Sequence, residues 1–291
     1  MADEVLGLIA GEGMFPLIVA RGARGMGRKV VCAGLGGCVW PEVRGECDVF
    51  KEVGVLRVGQ WVRYFRGQGV RQVIMVGRVR KGEMYSRWRY LQYIPDVRTL
   101  RVWFTRLRHD KRDHAVLLAV CEELASEGIE LIDSTTYSKE ELATAGVMTR
   151  RQPTEKQWED IRFGWEMCRT ISSMDIGQAM AVIDKDVIAV EAVEGTNAMI
   201  ERAGRYCRSG GWTLIKVANA KQDMRMDVPT VGTTTIEKLK EARGGCLVLD
   251  VGKTILLEKA KVLELADRLG IAVVGWGEAV QVSGFRVQGE K

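Results

Sequence analysis

Ionisable side chains alternate along one short segment in the C-terminal half of the chain, 222–232. Asp223, Arg225 and Asp227 would share one face if this segment were extended. Four residues of strand span roughly 13 Å, whereas oxygen ligands lie about 2.1 Å from a Mg²⁺ ion. Both aspartates can therefore meet one ion only if the segment bends. A simpler division lets one carboxylate engage metal or water while Arg225 holds a phosphate oxygen. A charged surface edge is the alternative.

Further polar residues flank two predicted strands nearer the middle of the chain. Asp175 and Gln178 precede the pair, and Glu191 lies inside the second predicted strand, 187–193, which is otherwise apolar. An unpaired carboxylate is costly to bury. We therefore expect Glu191 to face a cation or a polar cavity.

Two helix starts offer capping patterns beside charged residues. Glu194 stands just before Thr196, which we expect to be the N-cap of a helix. A carboxylate beside a helix N-terminus suits a metal–phosphate group, and a capped helix with a surface glutamate is the alternative. Thr234 and Glu237 match a capping box, which favours a structural role.

A glycine-rich turn follows the first predicted strand. Gly11 and Gly13 flank Glu12, and Pro16 stands where a dinucleotide fingerprint would have its third glycine. The second predicted strand ends in 32–35 with no acid to hold a ribose hydroxyl, which argues against NAD. The turn could still bring backbone N–H groups and a helix N-terminus to an anion such as phosphate. A tight strand-to-helix turn is the other interpretation.

The elements that position these residues alternate between strand and helix, and in the first third of the chain this alternation predicts a parallel sheet with helices on its faces. We predict an α/β protein of two α/β domains, the first Rossmann-like with a parallel sheet: 1–133, a polar tether at 134–157, and a catalytic domain at 158–291. The predicted strands are 5–10, 29–33, 70–76, 129–132, 179–183, 187–193, 213–217, 246–249 and 271–274, and the predicted helices are 16–24, 60–66, 115–127, 158–170, 196 onward, 234–242 and 259–269.

Composition limits the class of protein. Of 291 residues, 46% are hydrophobic and 28% charged, a mixture that favours a folded core over disorder. No apolar run approaches the roughly 18 residues of a membrane span, and the acidic start, 1–4, does not resemble a signal peptide. We therefore expect a cytoplasmic protein. Lys and Arg exceed Asp and Glu by 43 to 38, which is weak support for nucleic-acid binding.

Several chemistries are excluded by residue type. The seven cysteines include no C-x-x-C pair, which fits a reducing compartment and gives no zinc site. His109 and His114 are the only histidines, and no nucleophile elbow or phosphate-binding P-loop motif occurs. Carboxylates with a hard metal are therefore the expected catalytic groups.

Basic and aromatic residues are interleaved along 85–112. This pattern suits an anionic membrane surface or a phospholipid-like substrate. It also suits single-stranded RNA. A solvated basic face is the commonest explanation of such a run, although the aromatics favour a partner.

Four segments in order along the chain resemble the LpxI-type UDP-2,3-diacylglucosamine pyrophosphatases of Gram-negative lipid A synthesis. They are 7–13 with Pro16, 174–178, 189–196 and 222–232. The resemblance implies a cytosolic hydrolase, peripherally associated with the inner membrane and dependent on Mg²⁺. It would cleave the pyrophosphate to release UMP and 2,3-diacylglucosamine 1-phosphate (lipid X). It also implies two domains that hold the lipid-linked nucleotide sugar between them, a homodimer, and no nucleic-acid partner.

The resemblance also suggests roles for individual residues. The family's catalytic aspartate lies in an Arg-x-Asp-(Leu/Val)-Pro motif, which places that role on Asp227. We hypothesise that Asp227 binds Mg²⁺ or orients the attacking water, since positioning and charge neutralisation dominate such reactions. The supporting residues fall into three groups: Asp223 and Arg225 as further catalytic residues, Glu194 and Asp175 as further metal ligands, and Gly11, Gly13, Thr196, Gln222, Lys216 and Gln178 as substrate-binding residues.

This chain departs from the family pattern at three places. Asp113-His114 replaces two adjacent acids, Asn197 replaces an aspartate, and Asn219-Ala220 replaces a lysine–proline pair. An amide ligates metal more weakly than a carboxylate, so metal affinity or rate could differ. A non-catalytic nucleotide-sugar-lipid binding protein and an RNA-associating protein are the alternatives, and a nicotinamide dehydrogenase is weaker than either.

Overall fold

The structure is a computed structural model that describes residues 5–79, 94–107, 113–219, 223–225 and 228–277. The described residues form two compact units. The first holds the residues up to Lys139 together with Met224 and Arg225, and the second holds Glu140 to Asp223 and the residues from Val228 onward. Within these described ranges, no helix combines the length and the apolar character needed to cross a membrane.

The first unit is a five-stranded sheet in the order β3-β2-β1-β4-β5, and every neighbouring pair is parallel. This is the strand order of a Rossmann-like half, so the predicted fold class is confirmed for this unit. Its elements are β1 (Val5–Ala10), α1 (Phe15–Gly25), β2 (Lys29–Leu35), β3 (Val49–Val53), α2 (Val58–Gly67), β4 (Gln72–Val76), α3 (Val97–Arg106), α4 (Asp113–Ala125) and β5 (Glu130–Leu131).

The central strands of this sheet are covered on both faces, which explains their continuous apolar sequence. Leu6, Leu8 and Ile9 of β1 are completely buried. One face packs on α2 and α4, where Phe65 and Leu124 are also fully buried. The edge strand β3 has exposed residues in its middle, and for that reason its sequence gave no strand signal.

The second unit has a six-stranded sheet in the order β6-β13-β11-β9-β7-β8, and β10 and β12 form a separate parallel pair. Strands β9, β11 and β13 are parallel, while β6, β7 and β8 join through antiparallel pairs. Its elements are β6 (Gly146–Val147), α5 (Glu155–Ser173), β7 (Ala179–Ile183), β8 (Asp186–Val190), α6 (Thr196–Tyr206), β9 (Thr213–Lys216), β10 (Thr230–Val231), α7 (Thr233–Glu241), β11 (Cys246–Asp250), β12 (Ile255–Leu256), α8 (Lys259–Leu269) and β13 (Ala272–Trp276).

Alternate residues of these strands serve two separate cores. Leu247 and Leu249 of β11 face helices α6, α7 and α8. Cys246 and Val248 of the same strand face α5, where Trp165 is buried. The unit is therefore a sheet between two helical layers, as an α/β domain requires.

The segment 134–157, predicted to be an irregular tether, is divided between the two units. It contains β6, which pairs antiparallel with β13, and the start of α5. Helix α5 begins at Glu155 because Thr154 and Gln157 form a capping box. The Thr154 hydroxyl oxygen accepts the Gln157 backbone N–H, and the Gln157 side-chain oxygen accepts the Thr154 backbone N–H.

Candidate functional site

One edge of the six-stranded sheet gathers most of the predicted site residues of the second unit. Strands β8, β9, β11 and β13 all end at this edge, and the antiparallel β7 begins there, with Ala179 opposite Lys216. Ligands of α/β sheets bind outside the carboxyl ends of the strands. This edge, called the strand-end site below, is therefore the candidate functional site of the second unit.

A chain of hydrogen bonds links three side chains at the strand-end site. The Lys216 ammonium donates to the Thr196 hydroxyl at 3.3 Å and to the Thr230 carbonyl oxygen at 3.2 Å. The same hydroxyl donates to the Glu191 carboxylate at 2.8 Å. Thr196 thus uses its single proton on Glu191 and a lone pair on Lys216, which fixes all three groups.

Glu191 does not lie inside a strand, contrary to the sequence prediction. Strand β8 ends at Val190, and Glu191 follows it directly. Its second carboxylate oxygen accepts the backbone N–H of Gln178 at 3.3 Å. Burial raises the pKa of the Cys168 thiol to about 12, and the charge of Glu191 adds to this shift. Cys168 therefore remains a neutral thiol and offers no nucleophile.

The loop before β7 packs directly on Glu191. A Cβ on Gly177 would lie 2.0 Å from the Glu191 carbonyl oxygen, so only glycine fits there. Beside it, Asp175 has a left-handed backbone (φ +58°) and accepts a hydrogen bond from the Asn219 side-chain amide at 2.6 Å. The loop thus brings Asp175 and Gln178 to the strand-end site.

The two predicted N-caps are wrong. Gly195 caps α6 and Gly232 caps α7, and neither cap makes a side-chain hydrogen bond. Thr196 is the first residue of its helix, which leaves its hydroxyl available for Glu191 and Lys216. Thr234 lies within the first turn of α7, one residue after that helix begins, so the expected capping box does not form.

Glu194 already has partners within the protein. Its carboxylate forms an ion pair with Arg202 at 2.8 Å, and its other oxygen accepts the Ala192 backbone N–H at 3.1 Å. A metal would have to compete with both contacts. Its role as a metal ligand stays a prediction.

Asp250 is a carboxylate at this edge that the sequence analysis missed. It is the last residue of β11, is only 6% exposed, and accepts the backbone N–H of Ala218 at 3.4 Å. Lys253 lies 3.9 Å from the same oxygen. Its position at the end of a buried apolar strand is the sequence feature that could have identified it.

The predicted glycine turn of the first unit lies at the carboxyl end of β1. The strand order reverses between β1 and β4, which is where doubly wound sheets bind ligands. A Cβ on Gly11 would lie 2.8 Å from the Gly77 carbonyl carbon, so Gly11 serves a close approach of two backbones. A Cβ on Gly13 would meet nothing within 4 Å, so the space beside it is open.

The acidic and basic segment 222–232 is described only in part. The chain turns at Met224 and Arg225 and is extended from Thr230, so Asp223 and Arg225 do not occupy a continuous strand. Asp223 is half-buried in the second unit and Arg225 is exposed in the first. Gln222 and Asp227 lie outside the described residues.

A cavity of about 380 Å³ lies beside Arg225 in the first unit. Its walls come from α4, β5 and the turn between them: Leu118, Cys121, Glu122, Ala125, Gly128, Ile129, Glu130 and Leu131.

The oxygen groups of the strand-end site are of the type that Mg²⁺ prefers. Asp175, Glu191 and Asp250 supply carboxylates there. Within the described ranges, however, no three histidine, cysteine, aspartate or glutamate side chains lie close enough to hold a metal ion. Mg²⁺ usually binds to one or two carboxylates together with waters and substrate phosphates.

Comparison with known proteins covers both units. The LpxI N-terminal domain family matches residues 5–141 and the LpxI C-terminal domain family matches residues 144–274. A protein of Caulobacter vibrioides named UDP-2,3-diacylglucosamine pyrophosphatase LpxI is 30% identical over 281 residues, covering 93% of this chain and 96% of that relative. The bifunctional purine biosynthesis protein PurH of Anaeromyxobacter sp. (strain K) is 27% identical over 138 residues, 45% of this chain and 22% of that protein. With both of its domains matched and a relative aligned along almost its whole length, the chain belongs to the LpxI family.

Proposed function

We propose that this protein hydrolyses the pyrophosphate bond of UDP-2,3-diacylglucosamine, releasing UMP and 2,3-diacylglucosamine 1-phosphate. The observation that carries the proposal is the 30% identity over 93% of the chain to a protein named for this activity. The strand-end site supports it, because the Lys216 ammonium and the Glu191 carboxylate are linked through Thr196 at the edge where α/β sheets bind ligands.

Lys216 is the described residue best placed to bind a phosphate oxygen. Its ammonium is held by Thr196 and by the Thr230 carbonyl oxygen, and the Thr196 hydroxyl is in turn held by Glu191. A positive charge fixed before the substrate arrives lowers the reorganisation needed as charge builds on the phosphoryl oxygens. Thr196 and Gln178 would line the same site.

Asp227 is the proposed catalytic carboxylate, and it would bind Mg²⁺ or orient the attacking water. Asp175 is a suitable further ligand because its carboxylate is exposed at the strand-end site. Mg²⁺, when bound, would neutralise phosphate charge. We propose that Asp223 and Arg225 assist, with the guanidinium offsetting phosphate charge, and that Gln222 contacts the substrate.

The glycine turn of the first unit is the proposed contact for the nucleotide or its phosphates. The open space beside Gly13 and the nearby start of α1 at Phe15 support this assignment. We further propose that the enzyme works as a homodimer on the cytoplasmic side of the inner membrane, where it meets its lipid-linked substrate peripherally.

The test is UMP release from UDP-2,3-diacylglucosamine dispersed in detergent, with Mg²⁺ and after its removal by a chelator. Asp227→Ala is expected to abolish release while the circular dichroism spectrum stays unchanged. Asp186→Asn removes an exposed aspartate from the β7–β8 hairpin and is the matched control, with full activity expected. An Asp227→Ala rate within about tenfold of the parent, a loss under ~1.4 kcal/mol, would refute the role of Asp227. Substrate binding by the parent without UMP release would refute the activity.

A further inference from the structure

Helix α3 turns its apolar side toward water. Val97 is 84% exposed and Phe104 is 67% exposed, and Leu100 and Trp103 are also exposed. At 100° per residue these four side chains lie within an arc of about 120° on one side of the helix. An amphipathic helix of a globular protein normally buries its apolar side against the core, whereas α3 exposes this side to solvent.

The other side of α3 explains how the helix is held. Arg98 pairs with Glu123 of α4 and with Glu127, which follows α4, and Arg106 pairs with Glu122 of α4 at 2.6 Å. Val102 is buried between these arginines. The arginines are therefore drawn inward by carboxylates, and this orientation leaves the apolar arc outside.

We propose that the exposed arc of α3 docks on the surface of a lipid bilayer. Its composition is that of an interfacial helix, with Leu, Phe and Trp on one side and arginine beside them. Trp103 has the amphipathic ring that favours the boundary between lipid and water. This inference deepens the proposed function, since a diacylated substrate resides in a membrane, and it rests on that function for its biological purpose.

Charge favours an anionic bilayer as the occupant. Helix α3 contains three arginines and no acidic residue. Arg98 and Arg106 are neutralised by α4, whereas Arg101 is exposed next to the apolar arc. A guanidinium at the rim of an inserted apolar surface would meet lipid phosphates, as in other peripheral proteins.

The experiment is sedimentation of the full-length protein with vesicles of phosphatidylcholine and phosphatidylglycerol. The test variant is Leu100→Ser/Phe104→Ser, and the control is Met26→Ser/Tyr206→Ser, which removes exposed apolar side chains of similar size elsewhere. We expect the test variant to lose at least tenfold in vesicle partitioning and the control to match the parent. Arg101→Gln should weaken binding to the anionic vesicles more than to pure phosphatidylcholine.

Two readouts separate this proposal from the proposed function. UMP release from detergent-dispersed substrate should be unchanged in the test variant, which also shows that the variant folds. Vesicle binding by the parent without UMP release would refute the function and leave the docking surface standing. Equal vesicle binding by parent and test variant would overturn the docking surface. A third outcome would assign the arc to a second copy of the chain. In that outcome the parent does not bind vesicles, and light scattering shows that the test variant differs from the parent in oligomeric state.

Discussion

Replacing Gly177 with alanine should damage the strand-end site while the protein stays folded. The new Cβ would lie 2.0 Å from the Glu191 carbonyl oxygen, closer than any real Cβ contact. The loop must therefore retreat by about 1 Å, and with it the Gln178 N–H that binds the Glu191 carboxylate. Displacements of this size at an active site cost about 100-fold in rate. Overpacking of this kind typically destabilises a protein by about 1–3 kcal/mol.

The assay compares kcat/KM for UMP release and the thermal unfolding midpoint in the same preparations. Gly67→Ala is the matched control: Gly67 ends α2, and a Cβ there would meet nothing within 4 Å. Helix propensity predicts a stability gain of up to about 1 kcal/mol for this control. A Gly177→Ala protein with kcat/KM within threefold of the parent would show that the loop does not position the site.

Two further predictions concern charged groups. Thr196→Val and Lys216→Met should each lower kcat/KM, and the double variant should lose less than the sum of the two, because the Lys216 ammonium binds the Thr196 hydroxyl at 3.3 Å; strictly additive losses would contradict this coupling. Burial raises the pKa of Asp160, which is 2% exposed, above its ordinary 3.8. An acid whose pKa is raised in the folded state lowers the stability of the protein as pH rises from 3.8 toward that raised pKa. Asp160→Asn should therefore raise the unfolding midpoint at pH 7 relative to the parent. Below pH 3.8 it should have little effect. The Asn side chain can still accept the Lys185 N–H that Asp160 binds at 2.8 Å, and an equal or larger stabilisation at low pH, measured by calorimetry, would contradict the reasoning.

The central elements of both sheets were predictable because their sequences are governed by burial on both faces. Helix α8 was predicted at its observed bounds, Lys259–Leu269, since apolar spacing and a following glycine mark it on both sides. Helix α3 was not predicted, because its apolar side is exposed and its arginines bind glutamates from a separate helix. Such a helix depends on contacts that no local pattern encodes.

The site was predictable to the extent that polar residues interrupt apolar strands. Glu191 stood out for this reason, whereas Thr196 was singled out as the expected N-cap of its helix. The bonds of the Thr196 hydroxyl with Glu191 and Lys216 could therefore not be inferred. Asp250 escaped notice because one acid at the end of an apolar strand resembles an ordinary strand terminus. Its neighbours, β9 and β13, are known only from the strand order of the folded sheet.

The contact between Gly11 and Gly77 has a consequence for sequence variation. A Cβ on either residue would lie within 2.8 Å of the other residue's carbonyl carbon. Because each Cβ would clash with backbone atoms, glycine at one position does not make room for a side chain at the other. Both positions therefore require glycine. Any variant that enlarges one of them must first spread the ends of β1 and β4, widening the mouth of the sheet itself.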